Sequence, residues 1–504
     1  MKKAGAGNFL AMDLGAGSGR AVLGRFGERH LRLEEIHRFE NQPVEIEGTL
    51  YWDALSLLRE IQQGIRIGSA RVKGNLSGLG IDTWGVDFGL LDQKGHLIGN
   101  PVHYRDERTN GIMEKVFEIV PRKKIFQITG IQFLQFNTLF QLAALKFRGW
   151  PDLDRAEALL MMPDLFSYFL CGRKSSEFTI ASTTQFYDLK QQTWAYDLLK
   201  RLGIPSHLLQ KIIPAGSIIG ELEKTILPGQ KRKIPVIAPA SHDTGSAVAA
   251  VPAGAEDKPG EWAYLSSGTW SLLGIEIKKP IVNELALRFN FTNEGGVAGT
   301  CRFLKNIAGL WLIQECRRIW SSEQKRELGF QELIREARAS EPFQHFIDPD
   351  DPIFLRPADM PKAIAEFCRK TGQRIPRDRG SISRCIFESL ALKYQLIRKQ
   401  LERVSGQRIE KLYVVGGGAR NELLNQFTAN ALGIPVLAGL SEATALGNLV
   451  VQAMAMKLIP DLEAGRNLIR KSFPLKAYEP RDQSRWQDAS GRFGKMIGRA
   501  NCSG

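Results

Sequence analysis

The segment Asn8–Phe26, NFLAMDLGAGSGRAVLGRF, constrains the fold more than any other stretch of this chain. An apolar strand ends at Asp13, a Gly-rich turn follows, and apolar character resumes at once in Ala21-Val22-Leu23. In a dinucleotide-binding fingerprint or a Walker-type phosphate loop, the glycines open a helix whose N-terminus holds the phosphates. Here Arg20–Phe26 is short, partly β-branched or aromatic, and runs through Gly24 to another turn at Gly27-Glu28. That pattern predicts a second strand and therefore a β-hairpin. No Gly-Lys-Ser/Thr follows the glycines, which removes the Walker reading. A Gly-rich hairpin still presents backbone N–H groups to a phosphate at its tip. An Asp at the strand end beside it is placed to hold a metal-bound water.

A similar unit recurs in the second half as Ala263–Ile275, AYLSSGTWSLLGI, with Ser266, Ser267, Gly268 and Thr269 at the turn. Either hairpin alone is read most simply as a tight turn. One in each half predicts two related domains, each aiming a hairpin into a shared cleft to grip a triphosphate. Length agrees: 504 residues exceed what one hydrophobic core supports, so two domains of roughly 250 residues are expected. The expected division is 1–251, 252–460 and a polar C-terminal extension over 461–504.

Between the hairpins lies Lys233–Val251, KIPVIAPASHDTGSAVAAV. Pro235–Pro239 predicts a buried strand and Gly245–Val251 a small-residue helix, with Ser241-His242-Asp243-Thr244 at the junction. Ligands of open α/β sheets bind at such carboxyl ends of strands. Asp243 is read either as a helix N-cap or as a carboxylate facing a substrate, and His242 as a structural or a functional histidine. Further on, Ile382, Ile386, Leu390, Ile397, Leu401 and Val404 recur at helical spacing and predict a long amphipathic helix. A strand Lys411–Val415, the glycines Gly416-Gly417-Gly418 and a helix from about Asn421 follow, a junction that lets a flat ligand approach the backbone. Ser441–Ala455 predicts a helix whose Gly447 and alanines suit close packing under that nucleotide pocket.

A formal charge of +14 raises the question of nucleic acid. The Lys and Arg residues are spread along the chain, and the densest clusters, Arg122-Lys123-Lys124 and Lys231-Arg232-Lys233, lack interleaved aromatics. A basic field favouring a polyanionic nucleotide is the more economical account, with no nucleic-acid partner expected. No apolar run is long enough to span a bilayer, so no membrane partner is expected. Met1-Lys2-Lys3 leads into an apolar stretch too short for a secretion signal. Six cysteines without a metal-ligand pattern suit a reducing cytoplasm; Cys368 and Cys385 are read as two unrelated thiols or a pair.

Taken in order, DLGAGSGR, GIDTWGVDFGLLD, YRDERTNG, GIQFLQFNTLFQL, MPDLFSYFLCG, ASHDTGSAV, YLSSGTWSL, NFTNEGG, LKNIAGLWLIQ and VVGGGARN resemble the carbohydrate kinases named after their FGGY signature. These belong to the hexokinase–actin–chaperone ATPase superfamily, and the resemblance runs from about Phe9 to Met456. It implies an α/β fold of two actin-like, ribonuclease H-like domains with a catalytic cleft between them, using ATP and Mg²⁺. It implies phosphate contacts from Ala16, Gly17, Ser18, Gly19 and Arg20, and from Thr269 in the second hairpin. Asn306 and Gln314, eight apart on an expected helix, would touch the nucleotide, and Gly417 would cover the adenosine. Trp84, Gly85, His242 and Thr244 would line the sugar pocket, Asp243 would be the general base, and Asp13 would hold the metal through water. Trp84 is read equally as core. Asp87, Arg105 and Asp106 are lesser candidates for sugar hydroxyls. TWGVDF and LKNIAGLWLIQ favour L-rhamnulose as acceptor, phosphorylated to its 1-phosphate; L-fuculose or xylulose, or a switch ATPase of the superfamily, are the alternatives.

Overall fold

The computed structural model describes residues 7–27, 30–254, 257–258 and 260–500. The Met1-Lys2-Lys3 reading lies outside the described residues, as does Glu28 of the Gly27-Glu28 turn. The chain forms two compact units, and neither is contiguous in sequence. The first comprises Met1–Glu256, Glu276–Phe303 and Glu442–Phe473; the second comprises Asp257–Ile275, Leu304–Ser441 and Pro474–Gly504.

In the first unit the expected hairpin forms as β1 (Gly7–Leu14) and β2 (Ser18–Phe26), extended by β3 (Leu31–Glu40). The crossover helix Ala54–Arg71 then returns the chain to β4 (Gly78–Thr83), parallel to β1. Its N-terminus is fixed by Asp53, whose carboxylate accepts from Ser56 N–H. Further strands β5 (Ile218–Glu221) and β6 (Pro235–Ile237) complete the sheet in the order β5-β6-β4-β1-β2-β3. The central strands β1 and β4 are almost wholly buried, as strands covered on both faces must be.

The second unit repeats the plan. Its hairpin is β7 (Trp262–Ser267) and β8 (Trp270–Ile277), followed by β9 (Cys301–Ala308), which begins in the first unit. The crossover contains the expected amphipathic helix, Arg379–Ser405, started by a capping box between Asp378 and Ser381. Its predicted apolar positions, from Ile382 to Val404, are all buried. Then come β10 (Lys411–Val415), parallel to β7, β11 (Val436–Leu440) and β12 (Lys476–Tyr478), giving the order β9-β8-β7-β10-β11-β12, with the short strand Thr292–Gly295 as a seventh, paired to the outer side of β9. Apart from that edge strand the two sheets share one strand order, which bears out the expected α/β class.

The structure cuts the chain differently from a linear division at 251 and 460. The helix Ala443–Ala455 does not serve the second unit, as its place after β11 suggested. It belongs to the first, packed along the helix Asp243–Ala249 and over β1 and β4. Gly447 makes this possible: a Cβ there would lie 1.8 Å from the carbonyl oxygen of Ser246. On the same face Asn448 Nδ2 donates to Gly80 O and Gln452 Nε2 to Leu10 O, so strand carbonyls under the helix are satisfied. The region expected to be a polar extension is likewise structural. Helix Leu462–Ser472 packs on the helix Ala443–Ala455 in the first unit, while β12 pairs with β11 and Trp486 is buried in the second.

Gly447→Ala is therefore expected to lower stability by about 3 kcal/mol, because backbone rather than a flexible side chain must give way. Thermal unfolding should show it, and a control Gly491→Ala, whose Cβ meets nothing within 4 Å, should be close to neutral.

Candidate active site

The carboxyl edge of the first sheet gathers three carboxylates. Asp13 on β1 and Asp82 on β4 are register partners on adjacent parallel strands, so both leave the same face. Asp243 is the first residue of the helix that follows β6, as expected for the strand-to-helix junction. Each carboxylate has a different companion.

Asp13 accepts from Arg20, its cross-strand partner on β2, with Nε at 2.9 Å and Nη2 at 2.6 Å from Oδ2. Arg20 Nη1 pairs in turn with Glu442. Asp82 is fully buried; its Oδ2 accepts from Asn448 Nδ2 at 2.5 Å, and its Oδ1 has no hydrogen-bond partner among the described residues. Burial first, and the Asp13 carboxylate next, hold Asp82 well above the usual carboxylate range.

Asp243 is not a cap. His242 occupies the N-cap position and its side chain makes no capping bond. Asp243 Oδ1 accepts from the N–H and Oγ1 of Thr244, and His242 Nε2 lies 3.4 Å away. Oδ2 accepts no hydrogen bond among the described residues, and the side chain keeps 31% of its exposure. Desolvation raises the Asp243 carboxyl above its ordinary value, His242 opposes the shift, and the Asp13 carboxylate adds to it.

The first hairpin tip, including Ala16 and Gly17, is braced from Asn41, whose Nδ2 donates to Gly15 O and whose N–H donates to Gly17 O. Nothing lies within 4 Å of a Cβ built on Gly17, so the tip backbone is open there. At Gly19, by contrast, a Cβ would lie 2.2 Å from the Phe39 ring. Ser18 and Gly19 start β2, so the tip presents backbone while Arg20 is held by Asp13.

Beside β4, Gly85 brings the chain against His242: its Cβ would sit 3.2 Å from Nε2. Trp84 is only 5% exposed, and its indole N–H donates to Asp87 Oδ2 at 3.0 Å. Asp87 also accepts from Trp52 Nε1, Gln141 Nε2 and Tyr104 N–H, and burial pushes it up to about 6. Its oxygens face inward, to these donors. Asp106 accepts from the backbone of Leu50 and Arg108, and Arg105 lies against the Tyr104 ring.

In the second unit, Thr269 at the β7–β8 tip donates from Oγ1 to Gln314 Oε1 at 3.3 Å, joining two of the expected nucleotide contacts. Asn306 and Gln314 do not share a helix. Asn306 lies on β9 and Gln314 on the helix Trp311–Gln324, which starts after a turn through Gly309 and Leu310. The cause is local: a Cβ on Gly309 would meet the backbone of Trp270 at 2.7 Å, so the hairpin pins the chain and ends the strand. Gly416 takes φ +82°, and a Cβ on Gly418 would collide with Ser267. Gly417 between them has nothing within 4 Å and leaves its backbone open.

Sequence reasoning missed Asp82, Glu442, Asn448, Glu294 and Arg302. Asp82 lies in GIDTWG and Glu294 in NFTNEGG, but only Asp82 carried a positional signal, as the residue pairing with Asp13 in register.

Residues 8–250 match the N-terminal domain, and residues 263–456 the C-terminal domain, of the FGGY family of carbohydrate kinases. The rhamnulokinase of Bacteroides thetaiotaomicron is 48% identical over 494 residues, covering 97% of this chain and 99% of the relative. That of Bacillus subtilis is 40% identical over 479 residues, with 95% and 96% covered. Among solved structures, a xylulose kinase from Lactobacillus acidophilus superposes with a TM-score of 0.80 at 15% identity, covering 98% of this chain and 99% of that one. A glycerol kinase from Plasmodium falciparum reaches 0.74 at 16% identity, with 98% of each chain covered. These two carry the fold alone. With both domains matched and relatives at 40% to 48% identity along nearly its whole length, the chain belongs to the FGGY family of carbohydrate kinases.

Proposed function

We propose that this chain transfers the γ-phosphoryl group of ATP to L-rhamnulose, forming the 1-phosphate, with Asp243 as the general base. The observation that carries the base assignment is the asymmetry of its carboxylate. Oδ1 is committed to Thr244 and faces His242, whereas Oδ2 accepts nothing among the described residues. A sugar hydroxyl is a poor nucleophile at neutral pH. A carboxylate oxygen within reach orients it and takes its proton as the bond to phosphorus forms, typically contributing 10²–10⁴-fold. The sugar assignment rests on similarity to the rhamnulokinases of Bacteroides thetaiotaomicron and Bacillus subtilis. Gly85 keeps the space beside His242 Nε2 clear of a side chain. The Trp84 ring serves as an apolar wall for the methyl of a 6-deoxy sugar.

The open backbone at Gly17, with Ala16 and Ser18, is assigned to the phosphates, and Thr269, Gln314, Asn306 and Gly417 to the nucleotide. Among the described residues no group of three or more His, Cys, Asp or Glu is arranged to hold a metal by itself. That fits a cation arriving with the nucleotide and keeping most of its waters. Asp13, and the orphaned buried Oδ1 of Asp82, are the groups suited to accept from those waters. Mg²⁺ supplies charge neutralisation at the transferring phosphoryl group. Among the described residues no helix is long and apolar enough to cross a membrane. Location in the cytoplasm agrees with the five described cysteines, including Cys368 and Cys385, being free and buried.

Coupled ADP release with L-rhamnulose, L-fuculose, D-xylulose, glycerol and no acceptor tests the substrate. The highest kcat/KM is expected with L-rhamnulose; equal release with and without sugar would remove the proposal. Asp243→Asn should lower kcat by about 10³-fold while ATP binding, measured by calorimetry, persists. The pH dependence follows from the direction of the Asp243 shift. The base works ionised, so kcat/KM falls as pH drops through its pKa, which burial has raised. The acid limb is expected above the ordinary aspartate value of about 3.9, and a limb at or below that value would contradict it.

A further inference from the structure

The base is backed by a buried chain of polar groups to which no role has been assigned. His242 Nδ1 lies 3.2 Å from Arg302 Nη2 and 3.3 Å from Glu294 Oε2. Arg302 Nη1 lies 3.2 Å from the same Glu294 oxygen, and its Nε donates to Gly295 O at 2.8 Å. Arg302 is fully buried and Glu294 only 4% exposed. All of these residues belong to the first unit, with Glu294 and Arg302 entering from the segment Glu276–Phe303. The histidine backbone is held as well: its N–H donates to Thr179 Oγ1, which donates to the buried Glu177 carboxylate.

We propose that Arg302 and Glu294 are positioning residues that fix the tautomer of His242 and, through it, which oxygen of Asp243 acts as base; this rests on the assignment of Asp243 above. A guanidinium has donors and no acceptor. Arg302 Nη2, a donor only, selects an unprotonated Nδ1 on His242, since the Glu294 oxygen 3.3 Å from that nitrogen is shared with the Arg302 charge; this places the proton on Nε2. Nε2 lies 3.4 Å from Asp243 Oδ1 and beside the clear space at Gly85. Glu294 neutralises Arg302 in the interior, where an unpaired charge is strongly unfavourable. The guanidinium plane is oriented by its Nε donating to Gly295 O, which keeps Nη2 on Nδ1. With Thr244 bonded to Oδ1 and His242 on the same side at 3.4 Å, Oδ2 is the oxygen left to accept the sugar proton. The neutral Nε2–H also remains a donor, able to hold a substrate oxygen without competing for the proton in transit.

The test is the nitrogen NMR spectrum of protein labelled at its seven histidines, with His242 assigned by its loss in His242→Gln. Wild-type protein is expected to show the Nε2–H tautomer at neutral pH. An Nδ1–H signature, or an imidazolium donating to Glu294, would overturn the proposal. Arg302→Met should lose the single-tautomer signature and lower kcat by about tenfold or more with KM for ATP unchanged. Arg302→Lys, which restores a cationic donor, should recover both. A folded Arg302→Met with mixed tautomers and wild-type kcat would also overturn it. If Arg302→Met fails to fold, the wild-type spectrum and Arg302→Lys still decide. Normal turnover in Asp243→Asn with His242 locked as Nε2–H would sink the base assignment and leave the tautomer lock in place, so the two failures are distinguishable.

Discussion

The first unit is organised around the cost of bringing Asp13, Asp82 and Asp243 together at one buried sheet edge. Like charges at such a place raise one another's proton affinity, and burial adds to the effect; the upward shifts of Asp82 and Asp243 share both causes. Chemistry needs the groups kept distinct, and the fold does this by giving each a different companion. Asp13 has a guanidinium, Asp82 a neutral amide, and Asp243 a histidine with a hydroxyl. The cationic partner goes to the carboxylate nearest the hairpin tip, where triphosphate charge is expected. The amide leaves Asp82 desolvated and hard to ionise unless a cation's waters come near.

Two of those arrangements depend on a segment more than 350 residues further along the chain. Glu442 holds the far side of Arg20, and Asn448 reaches Asp82 from the helix Ala443–Ala455. The helix comes that close because residues on both sides lack side chains. Gly447 lies against the Ser246 carbonyl, and Gly80 on β4 leaves room for Asn448, whose Oδ1 would be 2.9 Å from a Cβ there. The close approach in turn exposes strand carbonyls to the helix, and Asn448 and Gln452 supply the donors. Small residues and amides are thus two halves of one solution: the first let the surfaces meet, the second satisfy the backbone they cover.

This also explains what was legible in the sequence. The hairpins, the Asp243 junction and the helix Arg379–Ser405 were readable because alternation, glycine placement and helical spacing are local. The nature of Asp243 as a non-capping residue was not, since capping and substrate-facing carboxylates look alike until the N-cap is located at His242. The helix after β11 was recognised as an element but given to the wrong unit, because nothing local records which surface Gly447 meets. Asn306 and Gln314, eight apart, read as one helix; contact between Gly309 and the β7–β8 tip divides them between a strand and a helix. Glu294 lies inside the NFTNEGG motif and Arg302 outside any motif, and nothing local ties either to the histidine they approach, which is distant in sequence.

A comparison among buried carboxylates shows why Asp243 stands apart. Asp87 receives two indole N–H groups, a side-chain amide and a backbone N–H. Glu177 receives the backbone of Thr179, Ile180 and Ser241 together with the Thr179 hydroxyl. Both are saturated acceptors, and each fixes a loop beside the site. Asp87 does so for a strained one: Val86 adopts φ +68°, a conformation unfavourable for a β-branched residue, and is held because Thr138 and Gln141 donate to its carbonyl. That strain sets Gly85 against His242. The saturated carboxylates therefore act as framework, and their inward-facing oxygens have no capacity to spare for a substrate. Asp243 is built with the opposite balance, one oxygen engaged and one open, inside a frame stiff enough to decide which is which.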